Sequence, residues 1–150
     1  MATATRVRSA EAHDFERVTA LLESLGRAKV TPETRGHCRG IFERHVFGLD
    51  ADHLVAERED GEVIGFCSLH FRDRLNYATP DAWVPDLSVA EDARRLGVGR
   101  MLLEEAERRA RERGCWALTL ESGYQRAEAH HLYRRAGMTD AGKSFSKLLT

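Results

Sequence analysis

The stretch AWVPDLSVAEDARRLGVGRMLLEEAERRARERG, residues 82–114, constrains the chain more than any other. An extended apolar run meets two glycines, Gly97 and Gly99, and then a strongly patterned helix. From Val98 to Arg113, Val98, Leu102, Leu103, Ala106 and Ala110 fall on one side. Glu104/Arg108, Glu105/Arg109 and Glu107/Arg111 stand four apart in the favourable acid-first order. Such a helix packs by one stripe and gains nothing from glycine, which costs about 0.8–1 kcal/mol against alanine inside a helix. At its start, however, backbone N–H groups lack intrahelical partners and the dipole contributes about half a positive charge. Without Cβ at 97 and 99 a ligand can approach those amides, and Arg94, Arg95 and Arg100 add full charges. The pattern describes an anion site for a phosphate or pyrophosphate. A tight strand-to-helix turn with surface arginines fits the same letters. Leu102 replaces the third glycine of a dinucleotide fingerprint, and no Lys-Ser/Thr follows as in a triphosphate loop.

The remaining chain supplies a mixed sheet. TRVRSA (5–10) reads as a strand, and EAHDFERVTALLESLG as a helix with Phe15, Val18, Leu21, Leu22 and Leu25 at helical spacing, stopped by Gly26. Thr31–Pro32–Glu33 is a helix start; the helix that follows carries Gly36 and Gly40 and is expected to break there. From residue 53 the period becomes two. HLVAERE and EVIGFCSLHF flank Asp60–Gly61, a hairpin signal because both residues tolerate positive φ. AWVPDLSVA (82–90) and CWALTLES (115–122) read as strands, RAEAHHLYRRAG as a helix and SFSKLL as a closing strand. The fold class is α/β with a mixed sheet, antiparallel in its first half and β-α-β in its second.

A chain of 150 residues with no internal repeat or linker is expected to form one domain over 1–150. Twenty-three basic residues against 24 acidic ones give no field for nucleic acid or an anionic membrane. No stretch reaches the roughly 20 apolar residues of a membrane span, and MATATRVRSA lacks a signal-peptide run. Cys38, Cys67 and Cys115 are odd in number and far apart. Free thiols and a cytoplasmic location are the expectation.

DLSVAEDARRLGVGRMLLEEAERRARERG resembles the coenzyme A signature of the GNAT N-acetyltransferases, with Arg94, Gly97, Gly99 and the basic Arg100 in the motif positions. AEAHHLYRRAGM is similar to the family's later helix on Ala129, Leu132, Tyr133, Gly137 and Met138. The two motifs stand in family order. The resemblance implies the GNAT acyl-CoA N-acyltransferase fold: a central, mostly antiparallel mixed sheet flanked by helices, with a splayed parallel strand pair. It implies acetyl-CoA as donor, its pyrophosphate on the amides of Arg95, Leu96, Gly97, Val98, Gly99 and Arg100, and its pantetheine arm along Leu87, Ser88 and Val89. Arg126 stands where the family often has Asn, and Glu91 where it commonly has Pro. The tail leans toward members that acetylate small primary amines. Homodimerisation is common among such proteins and is carried here by the resemblance alone.

Transfer from a thioester to an amine has three requirements. An alkylamine with a pKa near 10.4 is only about 0.04% neutral at pH 7, a deficit of about 4.6 kcal/mol, so a base or a desolvating pocket is needed. The oxyanion needs donors, which amides near Leu87 and Val89 can supply. The sulfur needs an acid less urgently, since a thiol pKa near 8.5 makes thiolate a fair leaving group. Tyr133 reads from periodicity as a core tyrosine; the resemblance makes it the acid facing the sulfur and a coenzyme contact. Glu121 at the end of LTLE, Asp86 on the preceding strand and His70 in SLHF are candidate bases. Each has a plain structural alternative: a solvated carboxylate, an edge cap and a packed strand histidine. No metal is expected, because His130 and His131 point about 100° apart and lack partners. Cys115 beside Trp116 reads as core. The reading is an acetyl-CoA-dependent N-acetyltransferase acting by direct attack in a ternary complex, with a small amine as acceptor. A protein or peptide acceptor, a non-catalytic coenzyme A-binding module and a generic phosphate-ligand enzyme are the alternatives.

Overall fold

The computed structural model describes residues 4–121, 127–142 and 144–150. Strand β1 (Thr5–Ser9) leads through a 3-10 turn into α1 (Phe15–Ser24), followed by α2 (Arg35–Phe47). Strands β2 (Leu54–Arg58), β3 (Val63–Cys67), β4 (His70–Arg72), β5 (Asp81–Val84) and β6 (Leu87–Val89) come next. Then follow α3 (Val98–Glu112), β7 (Leu118–Leu120) and α4 (Ala127–Arg135). Two sheets result, β1-β2-β3-β6 and β4-β5-β7. Among the described residues every strand pairing is antiparallel except β5 with β7, which run parallel in the register Ala82↔Leu118, Trp83↔Thr119 and Val84↔Leu120. The expected mixed, mostly antiparallel sheet flanked by helices is borne out.

Alternation along β3 and β6 assigns the helices to opposite faces. A Cβ on Gly65 would stand 3.0 Å from both Leu102 and Val98 of α3, and 3.5 Å from Ala56 Cβ. That face therefore holds α3. On the other face the Ser88 hydroxyl donates to Leu21 O of α1 at 2.9 Å, and Phe66 is paired in register with Ser88. The core between is apolar: Phe15, Val18 and Leu21 from α1, Leu54 and Val55 from β2, Ile64 and Phe66 from β3, and Leu102 and Ala106 from α3 are all buried.

Several expectations need correction. The strand read over 82–90 is two strands, because Pro85 has no N–H for the ladder; the strand over 62–71 is likewise split at Ser68–Leu69. Helix α2 starts at Arg35 and runs unbroken through Gly36 and Gly40, anchored by Phe42, whose ring lies 5.9 Å from that of Phe15. Thr31 does begin the turn before it, accepting the Thr34 N–H at its hydroxyl. At the hairpin only Gly61 has positive φ, at +88°. SFSKLL forms no strand: residues 144–150 lie outside regular structure and are exposed. Lys147 interrupts the face that Phe145 and Leu149 would share, so the segment lacks a continuous apolar side to bury.

Gly65→Val forces side-chain atoms into the α3 contact. The expected loss is about 1–3 kcal/mol of unfolding free energy, read as a lower urea midpoint at unchanged m-value.

Candidate active site

The segment between β6 and α3 folds as a short 3-10 turn, Glu91–Ala93, followed by an exposed loop. Two of its residues, Arg95 at φ +68° and Gly97 at +82°, are left-handed. Alternating backbone hand turns successive N–H groups toward one side, the geometry of an anion nest. The first intrahelical bond of α3 runs from Met101 N–H to Gly97 O at 3.0 Å, leaving the amides of Val98, Gly99 and Arg100 ahead of the helical ladder. Arg94, Arg95 and Arg100 are all exposed around them, as is Leu96. Arg94 reaches back toward Val89 O at 3.4 Å, and Arg100 pairs with Glu104 at 2.9 Å, one turn down the helix.

The two glycines have different reasons. Gly97 is demanded by its own φ, while a Cβ there would meet nothing within 4 Å. A Cβ on Gly99 would stand 3.0 Å from Leu132 Cδ2 and 3.8 Å from Val89 Cγ2. Close approach of α4 and β6 therefore accounts for Gly99, a correction to the reading in which a ligand alone requires the missing Cβ.

A gap opens beside the loop. β5 and β7 pair up to Val84 and Leu120; past Pro85, β6 pairs with β3 and, among the described residues, with no strand on its other side. Ser68 holds the departure point: its hydroxyl accepts the Asp86 N–H at 2.8 Å, and its N–H donates to Asp86 O at 2.9 Å. Leu87 and Val89 are half-buried and face the α3 side, whereas Ser88 is buried and bonded toward α1. Tyr133 lies half-buried on α4, next to the Leu132 that touches Gly99. The structure thus gathers the loop, β6 and the Tyr133 helix on one side of the sheet.

The candidate bases stand apart from the loop, at the strand ends around Pro85. Asp86 accepts a hydrogen bond from Arg27 Nε at 2.7 Å, and the same guanidinium donates to Pro85 O at 3.2 Å. Glu121, exposed just past β7, lies near enough to Arg72 to stabilise its charge. Arg126 lies outside the described residues. His70 belongs to the face opposite α3, paired in register with Trp83. There it meets two histidines that no local pattern in the sequence singled out, His45 on α2 and His53 before β2, with ring centroids 4.9 and 4.8 Å away. Their separation along the chain hides them; only the strand pairing and the packing of α2 bring them together. Cys115 packs against the core, as read, and burial raises its thiol pKa.

Residues 17–138 match the model of the acetyltransferase (GNAT) family. The chain belongs to this family. It is an acetyltransferase. An aminoalkylphosphonate N-acetyltransferase of Salmonella typhimurium is 29% identical over 143 residues, covering 95% of this chain and 90% of that protein. An IAA acetyltransferase of Azospirillum brasilense is 37% identical over 127 residues, or 83% of this chain and 78% of its own length. The fold is also that of a solved aminoglycoside N-acetyltransferase in complex with CoA, with a TM-score of 0.82 at 16% identity, covering 100% of this chain and 98% of that one. No helix among the described residues is long and apolar enough to cross a membrane.

At Gly97 a β-branched side chain is strained whether or not a ligand binds. Gly97→Val is expected to lower apo stability by about 1–2 kcal/mol and Gly97→Asn by less, since Asn tolerates the left-handed region. Denaturant unfolding of the two variants checks the difference.

Proposed function

We propose that the protein transfers an acetyl group from acetyl-CoA to a primary amine of a small molecule, by direct attack within a ternary complex. The observation that carries this reading is the pairing of a nest-like, arginine-rimmed helix start with an adjacent break in the sheet. The first suits a diphosphate. The second leaves β6 with backbone groups available to a long, amide-bearing arm. Acetyl-CoA has both parts in that order. The aminoalkylphosphonate N-acetyltransferase, which aligns over 90% of its own length, supports a small amine as acceptor.

In this reading the amides from Arg95 to Arg100 hold the pyrophosphate, with Arg94, Arg95 and Arg100 adding charge. The backbone of Leu87, Ser88 and Val89 carries the pantetheine arm. Unpaired amides of β6 stabilise the oxyanion where charge develops, a contribution worth about 2.7–4 kcal/mol for one well-placed donor. The Tyr133 hydroxyl protonates the departing sulfur. Asp86 and Glu121 put carboxylates near the gap, although Asp86 is already bonded to Arg27. Arg126 is a further proposed coenzyme contact.

The deciding experiment is a thiol-release assay with acetyl-CoA over three amines: aminomethylphosphonate, the aminoglycoside kanamycin and a short peptide with a free amino terminus. Release with a small amine is expected. Coenzyme binding without release from any amine would instead identify a binding module. Calorimetry should show acetyl-CoA binding more tightly than adenosine diphosphate; equal affinity would mean that the pantetheine arm contributes nothing. Tyr133→Phe should lower kcat by about 10- to 100-fold while leaving acetyl-CoA affinity within about twofold, the split expected of a group acting in the transition state.

A further inference from the structure

His45, His53 and His70 form a titratable cluster that the chemistry above leaves unused. Its hydrogen bonds fix the protons. His53 is buried, 5% exposed, and its Nδ1 accepts the Leu69 N–H at 3.0 Å. An acceptor nitrogen must offer its lone pair, so neutral His53 carries its proton on Nε2. That N–H points at His45 Nδ1, 3.1 Å away. His45 in turn keeps its proton on Nε2. Burial, reinforced by the facing rings of His70 and His45, pushes His53 down to about 3 and keeps it neutral.

The three rings offer ligand atoms within 4.8 Å of one another, which invites comparison with a metal centre. The tautomers argue against it. A metal on His53 Nε2 needs the lone pair there and the proton on Nδ1, where it would collide with the Leu69 N–H. Metal-bound imidazoles direct the second nitrogen at an acceptor, not at a donor.

His70 differs from its neighbours. Its ring stands edge-on to both other imidazoles and 5.4 Å from the Trp83 ring. Among the described residues its nitrogens have no hydrogen-bond partner. The Trp83 indole N–H beside it is buried and likewise unpartnered. An unbonded imidazole next to an orphan donor is an unfinished polar site. It lies across the sheet from the coenzyme loop, opposite the last residues of β5 before Pro85 opens the gap. An acceptor that meets a thioester threaded from the α3 side must arrive from this face.

We infer that His70 takes the proton from the acceptor amine, with His45 as a positioning residue. The inference rests on the acetyl-transfer reading. One proton of R–NH3+ passes to the neutral imidazole. The freed lone pair forms the C–N bond and the C–S bond breaks. Tyr133 gives its proton to sulfur and is restored by the second proton leaving nitrogen, and the imidazolium returns the first proton to solvent. Products are the amide, which keeps one N–H, the thiol and one released proton.

The surroundings keep His70 ready. Burial, the His45 ring on α2 and Arg72 on its own strand lower its pKa, while Asp86 at the β5–β6 junction raises it; the balance lies below the ordinary value. Arg72 is in turn held by Asp81, Asp86 by Arg27, and His53 faces it as a neutral ring. The free base therefore dominates at pH 7.

The test uses the full chain and each of the three amines that wild type acetylates. His70→Gln is expected to lower kcat/KM by about 100-fold or more, to leave acetyl-CoA affinity unchanged, and to lose the acidic limb of the pH profile. His70→Ala should regain activity in proportion to added imidazole, a readout that a misfolded variant cannot give. His45→Gln should move the limb to higher pH by removing a ring that opposes the His70 charge. Unchanged kcat/KM and pH profile in His70→Gln overturn the inference while leaving acetyl transfer intact. Wild-type activity lost to EDTA and restored by Zn²⁺ overturns it in favour of a metal. Absence of wild-type release from every amine overturns the acetyl-transfer reading and this inference with it.

Discussion

Proline brings no N–H to a β-ladder, and at position 85 this divides a strand that would otherwise run from Asp81 to Val89. The part before it stays with β4 and β7; the part after it crosses to β3. Ser68 makes the division orderly by giving the Asp86 N–H a hydroxyl acceptor and sending its own N–H to Asp86 O. Without those bonds three buried or half-buried backbone groups, the Asp86 N–H, the Ser68 N–H and the Asp86 carbonyl, would lose these partners, at about 1–3 kcal/mol each. The gap is thus a consequence of local covalent chemistry. The placement of the loop, β6 and α4 around it follows from which half of the strand each one joins.

Much of this was legible in the sequence where a local rule decided the outcome. The stripe of α3, from Val98 to Ala110, is apolar at helical spacing and is buried in the structure. Gly97 marked the start of that helix because only glycine accepts its backbone hand readily. Features decided by distant residues were not legible in the same way. Gly99 looked like an opening for a ligand, yet Leu132, a residue of another helix, fills the space its side chain would need. Gly36 and Gly40 looked like breaks in α2, but Phe42 packing against Phe15 outweighs two weak helix formers. Pro85 is visible in the sequence, but the flanking residues keep the alternation of a single strand and so conceal its effect. His70 stands out in SLHF, but its grouping with His45 and His53 shows in no window, since the cluster joins a helix, a strand lead-in and a strand.

The two faces of the sheet divide the electrostatic work. Toward α3, the ligands expected are phosphates, and the protein supplies amides and guanidinium groups that need no proton exchange. Toward α2, the chemistry proposed is removal of a proton, and charge there is restrained: Asp86 is answered by Arg27, Asp81 by Arg72 and Asp14 by Arg8. Burial opposes ionisation of Asp14, but the Arg8 hydrogen bond and the Glu11 N–H outweigh it and hold the carboxyl below its usual value. Such carboxylates are poor proton acceptors, because taking a proton would forfeit the arginine interaction.

A histidine escapes that conflict. Its basic form is the neutral one, so burial favours the state that does the work, whereas burial of a carboxylate favours the state that cannot. Lowering the imidazole pKa carries a cost, since a weaker base pulls less strongly on an ammonium proton. A ring buried as deeply as His53 lies far down that slope, and its lone pair is committed to Leu69 N–H. His70 is half-buried, with Asp86 drawing its pKa back up against burial, His45 and Arg72. Of the three rings it alone combines the neutral form at pH 7, nitrogens without a partner among the described residues, and a register position opposite Trp83, two residues before Pro85.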